Sequence, residues 1–291
     1  MNNPFDLNDT ECYLRWRQQK LAAAPTSLNE LVVKVRDPRS LAPNEHTALA
    51  KLIRRCNMAI YASPMHEADT DIPRLLGAQF GLEHLDANWL AGEDGISEIR
   101  VFDNGTRQHY IPYTDKPIKW HTDGYYNPPE RTIRSMVLHC VRNASSGGKN
   151  QLMDHEIAYL LLRDEDPRHV HALMQADAMT IPDRVDETDG VRTAQSGPVF
   201  SLDGVGNLHM RYTARTRSIE WKQDAATLAA VAALERLLAS NTPHIFKALL
   251  EPGMGLLCNN VLHDRSAFND GPGKPPRLLY RARYLDRLTT T

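Results

Sequence analysis

The stretch that decides the fold is Ile118-Lys119-Trp120-His121-Thr122-Asp123-Gly124-Tyr125-Tyr126. It sets an imidazole and a carboxylate, both metal-binding groups, two residues apart. On a helix, residues two apart point about 200° away from each other, so His121 and Asp123 could not chelate one ion. On a strand the period of two puts both on one face. The H-T-D tripeptide is therefore expected in an extended segment, and an extended segment needs a sheet around it. Alone the pair is a weak sign, because the chain has 12 histidines. Its weight comes from what lies downstream.

His263, in "NNVLHDRSAF", follows the apolar run "GLLCNNVL". A strand ending there can deliver a third ligand to the mouth of a barrel. Two imidazoles and one carboxylate are the minimum set for a ferrous ion that keeps positions open for other ligands. Further on, "PPRLLYRARY" repeats arginine at even spacing, so Arg277, Arg281 and Arg283 share one strand face. On a solvated face this means little. On an interior face three like charges are costly unless anions neutralise them. The planar fork of arginine grips a carboxylate through two parallel hydrogen bonds. A dicarboxylate held by arginine at one end could chelate a metal at the other, which is the logic of 2-oxoglutarate as a cosubstrate.

The surroundings agree with a sheet. From Ile96 onward, short β-rich runs such as "ISEIRVF", "TIRSMVLHCV", "KNQLMD", "GPVFSL" and "NLHMRYT" are separated by Gly, Pro, Asn and Asp, as in a barrel or jelly roll. Two helical insertions are expected, near 155–176 with a break at Pro167, and near 224–241 with Asp224 as N-cap. The first third reads as helical with short extended pieces. A helix capped by Asp9 or Thr10 ends at Pro25, a short strand covers Leu31–Val35, and Leu49, Leu52, Ile53 and Cys56 recur at helical spacing, with Lys51, Arg54 and Arg55 on a solvated face. The chain of 291 residues is expected to be one domain, with a helical part over 1–95 packed on a strand-rich core over 96–288.

Composition narrows the partners. With 34 basic and 36 acidic residues the formal charge is -2, which points away from nucleic acid and anionic membranes and toward a small molecule. Cys12, Cys56, Cys140 and Cys258 form no C-x-x-C pair and are expected as buried, reduced thiols in a cytoplasmic protein. The polar, acidic start is unlike a signal peptide, and no apolar run approaches the roughly 20 residues of a membrane helix. His139, inside "MVLHCV", is expected as a hydrogen-bonded core residue. His169 and His171 splay apart on a helix.

The H-T-D tripeptide, the Gly147-Gly148 turn before a strand, "NNVLHDRSAF" and the arginine strand together resemble the taurine dioxygenase (TauD/TfdA) family of iron(II)- and 2-oxoglutarate-dependent oxygenases, with some likeness to γ-butyrobetaine hydroxylases. The resemblance spans roughly Ile96 to Leu288. It implies a mainly β fold with flanking helices, built on a double-stranded β-helix or jelly-roll core. It implies that His121, Asp123 and His263 hold iron(II), that Arg277 grips the remote carboxylate of 2-oxoglutarate, and that Arg281 contacts substrate or assists the cosubstrate. Many relatives carry a threonine after the double glycine. Here Lys149 and Asn150 stand in that stretch, and Asn150 could donate in its place. The implied reaction consumes dioxygen, releases succinate and carbon dioxide, and hydroxylates a substrate C–H bond.

The substrate is expected to be small and anionic or zwitterionic. Trp120, Tyr125 and Tyr126 flank the tripeptide and could hold a quaternary ammonium group, at about 0.5–2 kcal/mol per contact, or simply pack at the barrel mouth. Arg211, with Arg215 and Arg217 around Tyr212, and Arg283 are candidate readers of a carboxylate or sulfonate. Two other readings stand beside this one. A zinc or cupin-type enzyme could use the same triad but leaves the arginine strand without a role, and a non-catalytic small-molecule-binding barrel sits poorly with an intact triad. A homo-oligomer is left open.

Overall fold

Alternating apolar residues in Ser135–Arg142 make this strand the centre of the molecule. In a computed structural model, which describes residues 3–86, 92, 94–186 and 190–289, Met136, Leu138 and Cys140 face one core cluster and Val137 and Val141 another. Ten strands build the two principal sheets: β1 Val32–Lys34, β2 Met58–Ala62, β3 Ser97–Ile99, β4 Ile118–His121, β5 Ser135–Arg142, β6 Asn150–Met153, β7 Phe246–Ala248, β8 Met254–Cys258, β9 Leu262–Arg265 and β10 Leu278–Tyr284. The major sheet runs β1-β2-β8-β5-β10-β3 and the minor sheet β7-β6-β9-β4. All pairings are antiparallel except β1 with β2.

From β3 to β6, and again from β7 to β10, the chain passes back and forth between the two sheets, the winding of a jelly roll. Leu152 and Phe246 of the minor sheet meet Met136, Leu138, Leu256 and Leu279 of the major sheet in the inner core. Each such side chain contributes roughly 1.5–3 kcal/mol on burial. Both outer faces are covered by helices. Leu49 and Ile53 of α2 (Pro43–Cys56) and Leu76 of α3 (Asp71–Ala78) cover the major sheet. On the minor sheet, α4 (His155–Glu165), α5 (Pro167–Leu173) and α6 (Ala225–Ala239) gather around Met153 and Leu262, joined by Tyr13 of the N-terminal helix Thr10–Ala23.

The helices follow local sequence. Asp9, Asp154 and Asp224 each accept a backbone N–H at a helix start, at 2.9, 2.9 and 2.7 Å. Pro167 opens α5 at a position where its missing N–H costs nothing. The four cysteines are free and buried. Among the described residues, no helix is long and apolar enough to cross a membrane.

Three expectations are corrected. The strand expected at Leu31–Val35 is β1, but it does not stand apart from the strand-rich core: with β2, which was not expected, it forms one edge of the major sheet. The run "GLLCNNVLH" is not one strand: it breaks after Cys258, and β8 and β9 lie in different sheets. Asn260, with φ of 49°, turns that corner in the left-handed region that asparagine tolerates. Finally, β4 stops at His121, so Asp123 lies in the turn beyond the strand.

Candidate active site

β4 and β9 are neighbours, and their register makes His121 and His263 direct cross-strand partners, with ring centroids 4.2 Å apart. Each ring is oriented by its own strand. Nδ1 of His121 lies 2.9 Å from the Lys119 carbonyl, and Nδ1 of His263 lies 2.9 Å from the Val261 carbonyl. In the neutral ring a nitrogen against a carbonyl carries the proton, which leaves the lone pair on Nε2. Burial, followed by the neighbouring His121, pushes the His263 imidazole down to about 4 and keeps it neutral. Nε2 of His121 is 3.6 Å from Oδ1 of Asp123, and ligand atoms of His121, Asp123 and His263 all lie within 4.8 Å of one another.

Asp123 reaches this position by a bend rather than by strand periodicity. Thr122 leaves β4 to pair with Tyr212, its N–H donating to the Tyr212 carbonyl at 2.9 Å and its Oγ1 accepting the Tyr212 N–H at 3.0 Å. The Asp123 N–H donates to Oδ1 of Asn260 at 2.8 Å, while Nδ2 of Asn260 donates to the carbonyls of Asp123 at 2.9 Å and Ile133 at 2.7 Å. Gly124 completes the turn at φ of 69°, where a Cβ would lie 2.3 Å from the Ile133 side chain. Burial would raise the Asp123 carboxyl, but Arg281, then His121 and Arg283, outweigh it and hold the group well below the usual carboxylate range. Nη1 of Arg281 is 3.2 Å from Oδ2 of Asp123.

A pocket of about 430 Å³, counting its open mouth, is lined by His121 and His263. Ile99, Leu138 and Leu279 give it apolar walls, and Asn150, Arg265, Arg277 and Arg281 give it polar ones. Arg277 is 4% exposed, and its Nη1 has no hydrogen-bond partner. Nε of Arg265 and Nε of Arg281 are buried and unpartnered too. Burial lowers the Arg277 guanidinium, and burial followed by Arg277 lowers that of Arg265 to about 9. Buried cations with unmet donors make this a site for an anion. Asn150 faces the same space but donates Nδ2 to the Asp264 carbonyl at 2.6 Å.

The model of the family described as "Taurine catabolism dioxygenase TauD, TfdA family" matches residues 40–283. The chain belongs to this dioxygenase family. A uridine-5'-phosphate dioxygenase of Amycolatopsis sp is 32% identical over 283 residues, covering 89% of this chain and 98% of that protein. One from Streptomyces sp is 31% identical over 183 residues, covering 61% and 65%. Among solved structures, the non-heme iron oxygenase OrfP, in complex with Fe, succinate and a dihydroxyarginine, superposes with a TM-score of 0.60 at 16% identity, covering 84% of this chain and 81% of that one. An asparagine oxygenase in complex with Fe(II), hydroxyasparagine and succinate gives 0.58 at 13% identity, covering 94% and 92%. These share the jelly-roll architecture.

As a member of this family, the dioxygenase depends on iron(II), 2-oxoglutarate and dioxygen and acts on a small molecule. Its donor set fits the metal: two imidazoles whose Nδ1 atoms face backbone carbonyls, so that Nε2 is the ring atom turned to a ligand position, plus one carboxylate whose Oδ2 lacks a hydrogen bond. Two expected contributors to substrate recognition are placed elsewhere in the dioxygenase. Arg211 donates to the carbonyls of Tyr125, Met179 and Gln195 at 2.8, 3.0 and 2.7 Å and braces the turn after Asp123. Arg283 is buried against Asp86, which also takes Arg131, and it donates to the Tyr126 hydroxyl at 3.0 Å. Both find acceptors outside the pocket, Arg211 through all three nitrogens and Arg283 through Nη1 and Nη2 while its Nε stays unpartnered. The Tyr125 and Tyr126 rings meet edge to face at 5.2 Å and pack against the helical core, as does Trp120.

Sequence reasoning missed Asn260, Arg265 and Asp86. Arg265 was findable, because it stands two residues after His263 and so shares its strand face. Asn260 announced a corner through the Asn259-Asn260 pair in an apolar run, although not the clamp on Asp123. Nothing near Asp86 signals its partner, Arg283.

Proposed function

We propose that this dioxygenase hydroxylates a C–H bond of a small anionic or zwitterionic substrate, with His121, Asp123 and His263 as the iron(II) ligands and Arg277 as the grip on the remote carboxylate of 2-oxoglutarate. One observation carries the reading: the bare imidazole nitrogens and the unpartnered Nη1 of buried Arg277 line the same pocket. When bound, iron(II), 2-oxoglutarate and dioxygen supply an oxidative decarboxylation to succinate and carbon dioxide coupled to insertion of one oxygen atom into the substrate. The chain orients and protects these reactants. Arg281 keeps Asp123 ionised, and with its free Nε it can also reach toward the cosubstrate or the substrate. Ile99, Leu138 and Leu279 exclude water, which strengthens every charge interaction inside.

The Amycolatopsis relative acts on uridine-5'-phosphate, so nucleoside 5'-phosphates are the first anionic class to try here. We place the reaction in the cytoplasm, on the strength of four free, buried thiols, with no role for nucleic acid or membrane. The test is succinate release with iron(II) and 2-oxoglutarate across nucleotides, amino acids, betaines and sulfonates. Arg277→Leu should weaken 2-oxoglutarate binding on the order of 100-fold, the scale of a lost buried, charge-assisted pair, and leave iron binding intact. His121→Ala or Asp123→Ala should impair iron binding itself. Unchanged 2-oxoglutarate affinity in the Arg277 variant would sink the assignment of the grip.

A further inference from the structure

Arg277 presents a mechanical problem. Among the described residues its side chain makes no hydrogen bond, yet it is 4% exposed. A long side chain with this much rotamer freedom needs something other than N–H contacts to fix it, especially if those N–H groups are to stay free for a ligand. Two segments the proposed function has not used lie against it, Gly147-Gly148 through Gly148 and Arg265–Phe268 through the Phe268 ring.

The Cζ of Arg277 lies 5.0 Å from the centroid of the Phe268 ring, and the Cζ of Arg265 lies 4.9 Å from the same centroid. Both guanidinium groups therefore rest on one aromatic ring. The ring cannot drift. Phe268 pairs with Gly147 across a short ladder, and its N–H donates to the Asp115 carbonyl at 3.1 Å. Arg265 is fixed as well, donating to the carbonyls of Pro112, Thr114 and Lys116 at 3.1, 2.6 and 2.6 Å. The double glycine closes the assembly. A Cβ on Gly147 would lie 2.1 Å from the Ala267 carbonyl oxygen, and one on Gly148 would lie 3.3 Å from Nε of Arg277; both residues have positive φ, at 76° and 69°.

We infer that Phe268, braced by Arg265 and Gly147-Gly148, is a positioning residue that holds the Arg277 guanidinium by its face and leaves its N–H fork free for the carboxylate of the cosubstrate. The inference rests on the reading of Arg277 given above. It also gives Arg265 a task other than ligand binding, since its fork is occupied by the 112–116 segment and Pro112 of that segment is a pocket wall.

Equilibrium binding to iron-loaded protein without dioxygen tests this with two ligands. 2-Oxoglutarate uses Arg277; 2-oxobutyrate chelates through the same oxo-acid end but has no remote carboxylate. Phe268→Leu should weaken 2-oxoglutarate by about tenfold, the scale of one desolvated cation–π contact, and leave 2-oxobutyrate within twofold of the parent. Phe268→Tyr, which keeps the aromatic face, should restore the difference between the ligands. If Phe268→Leu does not fold, Arg265→Lys carries the same expectation, because a point-like ammonium lacks the planar fork whose Nη1 and Nη2 span the 112–116 segment while its face rests on the ring. Equal weakening of both ligands, or parent-like affinity for 2-oxoglutarate, overturns the positioning role. Arg277→Leu measured alongside separates the two claims: if it leaves 2-oxoglutarate binding unchanged, the grip itself is misassigned; if it weakens binding and Phe268→Leu does not, only the positioning role falls.

Discussion

Asn260 commits its side-chain amide to backbone groups, one N–H and two carbonyls, and in doing so fixes the Asp123 carboxylate, which no strand holds. Asn260→Gly retains the left-handed backbone but removes the clamp. Iron affinity should drop by roughly tenfold, in line with the loss of an outer hydrogen-bond partner of a ligand, and metal titration will show it. Parent-like affinity would mean that the turn at Gly124 holds Asp123 unaided. His139 supplies a second prediction. It is fully buried, with Nδ1 2.9 Å from the Tyr61 hydroxyl, and burial lowers it from 6.5 to about 4 despite small opposing effects of Asp69 and Glu67. The fold therefore holds the neutral ring, and the unfolded chain takes the proton first. The stabilisation is complete above pH 6.5 and is lost as pH falls toward about 4, amounting to at most ~3 kcal/mol. Replacement by Phe should flatten the acid limb of a stability-against-pH curve in that window. An unaltered limb would assign acid sensitivity to other groups.

At the scale of elements, what was legible depended on whether local pattern or distant pairing fixed the outcome. The cap at Asp224 and the break at Pro167 are short-range chemistry, and each stands where the sequence put it; of the two candidates for the first cap, Asp9 takes the position. Asp224→Ala should lower stability by about 1 kcal/mol, measured as a shift in thermal midpoint with activity retained. The alternation in β5 was equally readable. The ends of strands were not. Whether β4 runs on to Asp123 is decided by Tyr212, and the split between β8 and β9 by the corner at Asn260, both of which involve residues far away in sequence. The two imidazoles and the carboxylate were correctly expected to converge, though the reason first given for His121 and Asp123 holds for only one of them. Arginines show the same limit. Even spacing put Arg277 and Arg281 at one pocket, but Arg283 on the same strand met Asp86, and no period in the sequence could announce that partner.

Across the whole molecule, polar contacts tie the helical cover to the active site. Nζ of Lys20, on the N-terminal helix, is 2.6 Å from Asp154 and 2.5 Å from Glu156. Asp154 accepts Nδ2 of Asn57 at 2.9 Å, and Oδ1 of Asn57 accepts Nδ2 of Asn259 at 3.0 Å, next to the clamp on Asp123. Lys20→Met would leave two carboxylates short of their buried cation. A loss of roughly 3–5 kcal/mol is expected, read from a urea denaturation curve, whereas a loss below 1 kcal/mol would show that water reaches the site and replaces the ammonium. The pairing of His121 with His263 has a different kind of consequence. Strand residues alternate between faces, so a slip of one position between β4 and β9 would turn one imidazole away from the other. With the ligand set proposed above, competence to bind a metal ion appears only once two remote segments have zipped together in the correct alignment. During refolding, the onset of metal binding would serve as a clock for a single event, the pairing of β4 with β9 in the minor sheet.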